Sequence, residues 1–204
     1  MSLDCKATVK IGACSRGGQP RGEYKATDPD FGSTDHYIPC GIVDEETAQL
    51  SVTFGSSAKT SDFRVDTLTA WWPGLTPPEQ HAIERVQLTR ENGPESSGVR
   101  TQFLHRMVQV VDTIGKPLQL LYYPPYHSKS NPIERCWGIL EFHWNGTQLR
   151  DAKPRLEGAK RMTSKGLTLV VELSRKVYAK GVTLSKTARQ AVEVRLERNP
   201  LLPK

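Results

Sequence analysis

Residues 122–138 read Tyr122-Tyr123-Pro124-Pro125-Tyr126-His127-Ser128-Lys129-Ser130-Asn131-Pro132-Ile133-Glu134-Arg135-Cys136-Trp137-Gly138, and pass from strand to loop to helix. The two tyrosines close the apolar run Leu118–Tyr123, set between Lys116-Pro117 and Pro124-Pro125 as a buried strand would be. Pro124, Pro125 and Pro132 fix their own φ and stiffen the connection. Asn131-Pro132 opens a helix, with Asn131 at the cap and Pro132 at the first helical position. That helix runs to about Trp144 and stops at Asn145-Gly146; Trp137, Leu140 and Trp144 recur at helical spacing and read as core. Glu134 stands three residues after Asn131, which suits a capping box, its carboxylate turned back on the cap amide. It equally suits a ligand presented at a helix start, and the spacing leaves both readings open.

Upstream, residues 100–114 place Phe103, Met107, Val110, Val111 and Ile114 on one helical face, and Gly115 ends the helix. Val86–Thr89 is a short strand closed by Glu91-Asn92-Gly93-Pro94. Ser61 caps a helix that carries Asp62 and Asp66, which look like surface or cap residues, and runs through Trp71-Trp72 to the stop at Pro73-Gly74. Ala48–Phe54 alternates as a strand. Residues 23–47 read as irregular around a short apolar piece, Tyr37–Val43. Residues 3–14 read as a strand, followed by a Gly/Arg-rich turn from Arg16 to Gly22. Downstream, a helix is expected near 167–179, then Lys180-Gly181, then a basic helix from about Ser185 to Arg198. Strands cluster first and then alternate with helices, the signature of an α/β mixed sheet with helices packed on it.

The 204 residues suit one domain or two small ones, and 37% hydrophobic with 25% charged residues is globular composition. No apolar run is long enough for a membrane span, and the start Met1-Ser2-Leu3-Asp4-Cys5-Lys6 has no secretory h-region. Cys5, Cys14, Cys40 and Cys136 then read as reduced thiols in a cytoplasmic setting, and they lack the paired spacing of a zinc site. The net charge of +6 is unevenly placed: residues 150–204 hold 14 Lys and Arg against 5 Asp and Glu. Such a basic tail suits a polyanion, or is simply a solvated face. The boundary drawn from this is a body over 1–149 and a basic, mostly helical extension over 150–204.

Three acids fall at informative places. Asp4 is near the start of the first strand, Glu91 follows Val86–Thr89, and Glu134 begins the helix after Asn131-Pro132. Sites in open sheets form near the carboxyl ends of strands. Carboxylates meeting there without His or Cys suit hard divalent cations. The plainer readings are a polar strand start, a solvated turn and a capping box.

The quoted stretch closely resembles the Pro-x-x-Ser-x-x-Asn-Pro-Ile-Glu signature of DDE transposases. The longer context is similar to the Rhodopirellula-type DDE transposase family, through Asp4–Gly12 with Ser15-Arg16-Gly17-Gly18, Asn92–Ser96, Arg100–Phe103 and His143–Gly146. The likeness covers nearly the whole chain. It implies a ribonuclease H-like catalytic domain: a mixed five-stranded sheet flanked by helices, with a basic helical C-terminal tail. It implies that Asp4, Glu91 and Glu134 are the catalytic and metal-holding acids. Two Mg²⁺ ions, replaceable by Mn²⁺, and double-stranded DNA, both element ends and target, are implied as cofactor and partner. A homo-oligomer is compatible with this; a membrane is not part of it. Arg16 and Arg21 in the first turn, with His127 and Lys129 before the helix start, are the candidate DNA contacts, against a solvated-loop reading.

Two departures stand out. Glu91 occupies a position where the family pattern has Asp, and the extra methylene displaces a carboxylate by about an ångström, enough to cost ~10²-fold in rate. The family's N-terminal helix-turn-helix region would precede Asp4, and relatives run on past Leu202-Pro203-Lys204, so the expectation is a truncated copy. Three functions follow: metal-dependent strand cleavage and transfer during transposition of an insertion sequence, an inactive DNA-binding remnant, or a nuclease of the same fold.

Overall fold

Alternation of Leu50, Val52 and Phe54 places β4 (Leu50–Gly55) with one face buried, and β4 pairs antiparallel along its whole length with β3 (His36–Val43). The structure is a computed structural model describing residues 1–10, 36–124, 131–144 and 159–200. β3 also pairs antiparallel with β1 (Ser2–Cys5), and the short β2 (Val9–Lys10) pairs with its start. The stretch expected to be irregular around Tyr37–Val43 is therefore a central eight-residue strand. Pro39 and Gly41 lower its apparent strand propensity. Pro39 lies opposite Lys6, one residue past the end of β1, where its missing N–H interrupts no ladder and its carbonyl accepts from Lys6 N at 2.9 Å.

β5 (Val86–Arg90) joins the other side of β1 in parallel, and β6 (Leu118–Tyr122) pairs in parallel with β5. Among the described residues β6 is the outermost strand and only half-buried, with no further strand covering it; the fully buried strand expected from its apolar run is corrected. The strand order is β6-β5-β1-β3-β4-β9, with β9 formed by Val170–Ser174. This mixed sheet flanked by helices is a ribonuclease H-like fold.

α1 (Ser61–Trp71) and α3 (Thr101–Ile114) cover one face. Leu3, Ile42 and Leu88 from the sheet meet Val65, Leu68, Phe103 and Met107 there. The α1 cap is Thr60, one residue before the expected Ser61, its hydroxyl accepting from Phe63 N. α3 ends as expected on Gly115, whose φ of 66° is the left-handed region. A short α2 (Pro77–Ala82), not anticipated, follows the turn at Trp72–Gly74. α4 (Pro132–Trp144) packs on the opposite face, burying Ile133, Trp137, Leu140 and Trp144 against Val43, Val52 and Phe54.

The helix expected near 167–179 is not formed. That region holds the hairpin β7 (Thr163–Ser164) and β8 (Leu167–Thr168), then β9, which adds in parallel to β4. Consecutive Val and Leu at 167–173 satisfy either period in isolation, and the unpaired edge of β4 decides between them. α5 (Lys186–Val194), capped by Ser185, lies on α3. No helix among the described residues is long and apolar enough to cross a membrane.

Candidate active site

Asp4 lies in the middle of β1, directly opposite Gly41 of β3. The parallel register pairs Ser2 with Thr89, and continuing it sets Asp4 level with Glu91, the first residue after β5. Ser2 and Asp4, two apart, share one face of the strand. Ser2 Oγ donates to Oδ1 of the fully buried Asn131, which anchors the start of α4 over that face. Asn131 Oδ1 also accepts from Ile133 N at 3.4 Å and so serves as the expected cap. Glu134, in the first turn of α4, is thereby carried towards Asp4.

Gly41 is what lets the helix come this close. A Cβ at that position would stand 2.8 Å from both Ile133 Cδ1 and Trp137 Cη2. Glycine opposite Asp4 thus brings α4 down onto the strand that carries the acid.

The capping-box reading of Glu134 does not hold: among the described residues its carboxylate makes no hydrogen bond and no ion pair, while its own amide donates to Asn131 O at 3.0 Å. Its pKa is raised, first by loss of water around it and then by the negative charges of Asp4 and Glu91, with Lys6 and Lys59 opposing. Glu91 Oε1 is buried with no hydrogen-bond partner among the described residues. Asp4 is held differently. Arg64 Nη1 of α1 donates to Asp4 Oδ1 at 3.1 Å, and both side chains are buried.

Sequence reasoning missed Arg64, because a lone arginine inside a helix without a clear apolar stripe carries no signal of what it faces. It also missed Arg90, which is fully buried and whose guanidinium has no hydrogen-bond partner among the described residues and lies 4.2 Å over the Phe103 ring. Burial, then the nearby Arg64 charge, lowers its pKa to about 10. Cys5 and Cys40 face each other across β1 and β3 as free, buried thiols.

Asp62 and Asp66 do not belong to the acidic group. Asp62 accepts from Gln102 and forms an ion pair with Arg106, and Asp66 accepts from Arg106, Lys176 and Tyr178. They are partly buried ties between elements, more than the surface or cap residues expected. Arg16, Arg21, His127 and Lys129 lie outside the described residues, as does Cys14.

The donor chemistry of Asp4, Glu91 and Glu134 fits a hard divalent cation: carboxylate oxygens only, one of them an orphan, with repulsion among them that a cation would relieve. The side chains stand apart, however. Among the described residues, no three His, Cys, Asp or Glu close into a ready cation cage. The sequence model described as Rhodopirellula transposase DDE domain matches residues 1–204. No curated protein matches the chain.

Proposed function

From the premise that this chain belongs to the Rhodopirellula transposase DDE-domain family, we propose that it cleaves and joins DNA strands in a divalent-metal-dependent reaction that moves an insertion sequence. The transposase-type function follows from the family; the site's carboxylate chemistry supports the rest of the reading. Asp4, Glu91 and Glu134 would hold the cations, two Mg²⁺ ions or Mn²⁺ in their place. A cation bound there would polarise the scissile phosphodiester and acidify the attacking hydroxyl. The chain's own residues do the positioning. Arg64 fixes one Asp4 oxygen, Asn131 fixes the start of α4, and Gly41 allows Glu134 to approach. Water and then a freed DNA 3′-hydroxyl are the nucleophiles, so no side chain needs to become covalently attached to DNA.

The observation that carries this reading is the orphaned Glu91 Oε1 at the end of β5, level with Asp4, while Glu134 senses both charges. The Arg64 pair on Asp4 and the open spacing of the three acids support a second reading, a DNA-binding protein without turnover. A nicking and strand-joining assay in Mg²⁺ or Mn²⁺ separates the two. Glu134→Ala is expected to abolish product, and Glu91→Asp to raise it, by up to ~10²-fold, as the shorter arm restores the carboxylate position. Equal rates for the chain and both variants would overturn the catalytic reading and leave the binding one.

A further inference from the structure

A cleft of about 530 Å³ opens between parts of the chain that are distant in sequence. Lys10 and His36 come from the paired β2 and β3. Lys59, with Ser57 and Thr60, comes from the link between β4 and α1, and Lys180 from the turn after β9. We propose that this cleft is a DNA-backbone site that leads a strand past Lys59 towards Asp4 and Glu134.

Three observations support it. Lys59 and Lys180 bring positive charge to the lining, where Glu95 is the one acid among the described residues, and the Glu95 carboxylate already pairs with Arg100 at 3.3 Å. A concave wall of one sign focuses the field on a polyanion more than the same charges spread over a flat surface. Next, Lys59 ties the cleft to the acids: its Nζ donates to Cys5 O at 2.7 Å, one residue beyond Asp4, and its charge acts on Glu134. A phosphate near Lys59 is therefore within the electrostatic range of the proposed reaction centre. Finally, the hydroxyl-bearing Ser57 and Thr60 lead into the start of the eleven-residue α1, whose N-terminal end favours negative charge.

The convergence could not be read from the sequence. Lys180 enters the cleft only because β9 adds to the edge of β4, and the expected helix at 167–179 would have sent it elsewhere. The choice of DNA as the polyanion rests on the transposase reading; the existence of the cleft does not.

The test is fluorescence anisotropy of a labelled DNA duplex, and of its single strand, across a salt series in EDTA. The chain is compared with Lys59→Gln/Lys180→Gln in the cleft and Lys186→Gln/Arg189→Gln on α5 as a charge-matched control. Glutamine at 59 keeps a donor for Cys5 O, and a thermal melt confirms that each variant is folded. The cleft variant is expected to bind about tenfold more weakly at fixed salt, with the log K against log[salt] slope reduced by roughly 1 for each lysine removed. The control is expected to keep the parental slope. An unchanged slope in the cleft variant, an equal loss in the control, or no DNA binding by the parent would overturn the site. Binding through the cleft without metal-dependent cleavage would sink the catalytic reading alone, since EDTA binding does not depend on it. Cleavage with an unaltered cleft slope would sink the cleft alone.

Discussion

Asp4 and Arg64 form a buried ion pair in which each partner is costly without the other. Taking either charge out of water is repaid only by its partner, so removing one leaves an uncompensated charge in the interior. Arg64→Met is expected to destabilise the fold by about 3–5 kcal/mol, and Asp4→Asn in that background to recover part of the loss; urea titrations of the two single variants and the double check it. If the losses simply add, the two groups are not coupled. Glu134 presents the opposite case, a carboxylate crowded by Asp4 and Glu91. Its folded pKa lies above its unfolded value, so the stability it lends is full below the unfolded pKa and is lost as pH rises through the folded one. Glu134→Gln should therefore melt higher than the parent at neutral pH without divalent metal, and lose part of the parent's gain on acidification. Mn²⁺ should raise the melting temperature of the parent but hardly that of Glu134→Gln. A Mn²⁺ response equal in both would remove Glu134 from the ligand set.

At the scale of elements, the site depends on how closely α4 sits on the sheet. The cap at Asn131 and the proline after it are local features, and the helix from Pro132 to Trp144 forms where they indicate. Its depth is a tertiary matter governed by Gly41. Gly41→Ala would set a methyl 2.8 Å from Ile133 and Trp137, so the helix must move outward or the core must distort. We expect a loss of about 1–3 kcal/mol and a fall in strand cleavage larger than the stability change explains, because Glu134 moves with the helix. Chemical denaturation and the nicking assay on one preparation measure both; intact cleavage despite the destabilisation would show that helix depth does not set the site. On the other face, Arg106 of α3 pairs with Asp62 and Asp66 of α1, and Asp66 also takes Lys176 and Tyr178 from beyond β9. These acids serve packing between elements, which their four-residue spacing alone could not distinguish from a solvated face.

For the molecule as a whole, the C-terminal quarter is part of the same sheet. β9 covers β4 over five paired residues, and α5 lies on α3, with Arg195 reaching Asp112 at 2.7 Å. Removing residues 159–204 would bare the edge of β4 and the flank of α3 together, and an exposed edge strand invites association. The truncated chain is expected to lose cooperative unfolding and to aggregate, seen as concentration-dependent light scattering and rapid proteolysis; a monomeric, cooperative fragment would contradict this. Deleting the tail is for the same reason a poor probe of its charge. Several of its cations are engaged within the protein: Lys176 with Asp66, Arg195 with Asp112 and Arg198 with Glu193. Lys180 instead lines the cleft, so point substitutions report on DNA contact where truncation would report on folding.

The amino-acid order by itself determined the local features: the capped α4, the glycine-stopped α3, the strands expected at 48–54 and 86–89 and found at 50–55 and 86–90, and a signature specific enough to indicate the family. Those features depend on neighbours a few residues away, where caps, breakers and hydrophobic periods act. Only the tertiary structure decided that His36–Val43 is a central strand and that 170–174 is a strand and not a helix. It alone set Arg64 on Asp4 and gathered Lys10, Lys59 and Lys180 around one cleft. In each of these the deciding partner is remote in the chain, and pairing with an open sheet edge, or burial against an opposite charge, outweighs the weak local preference of the residues themselves.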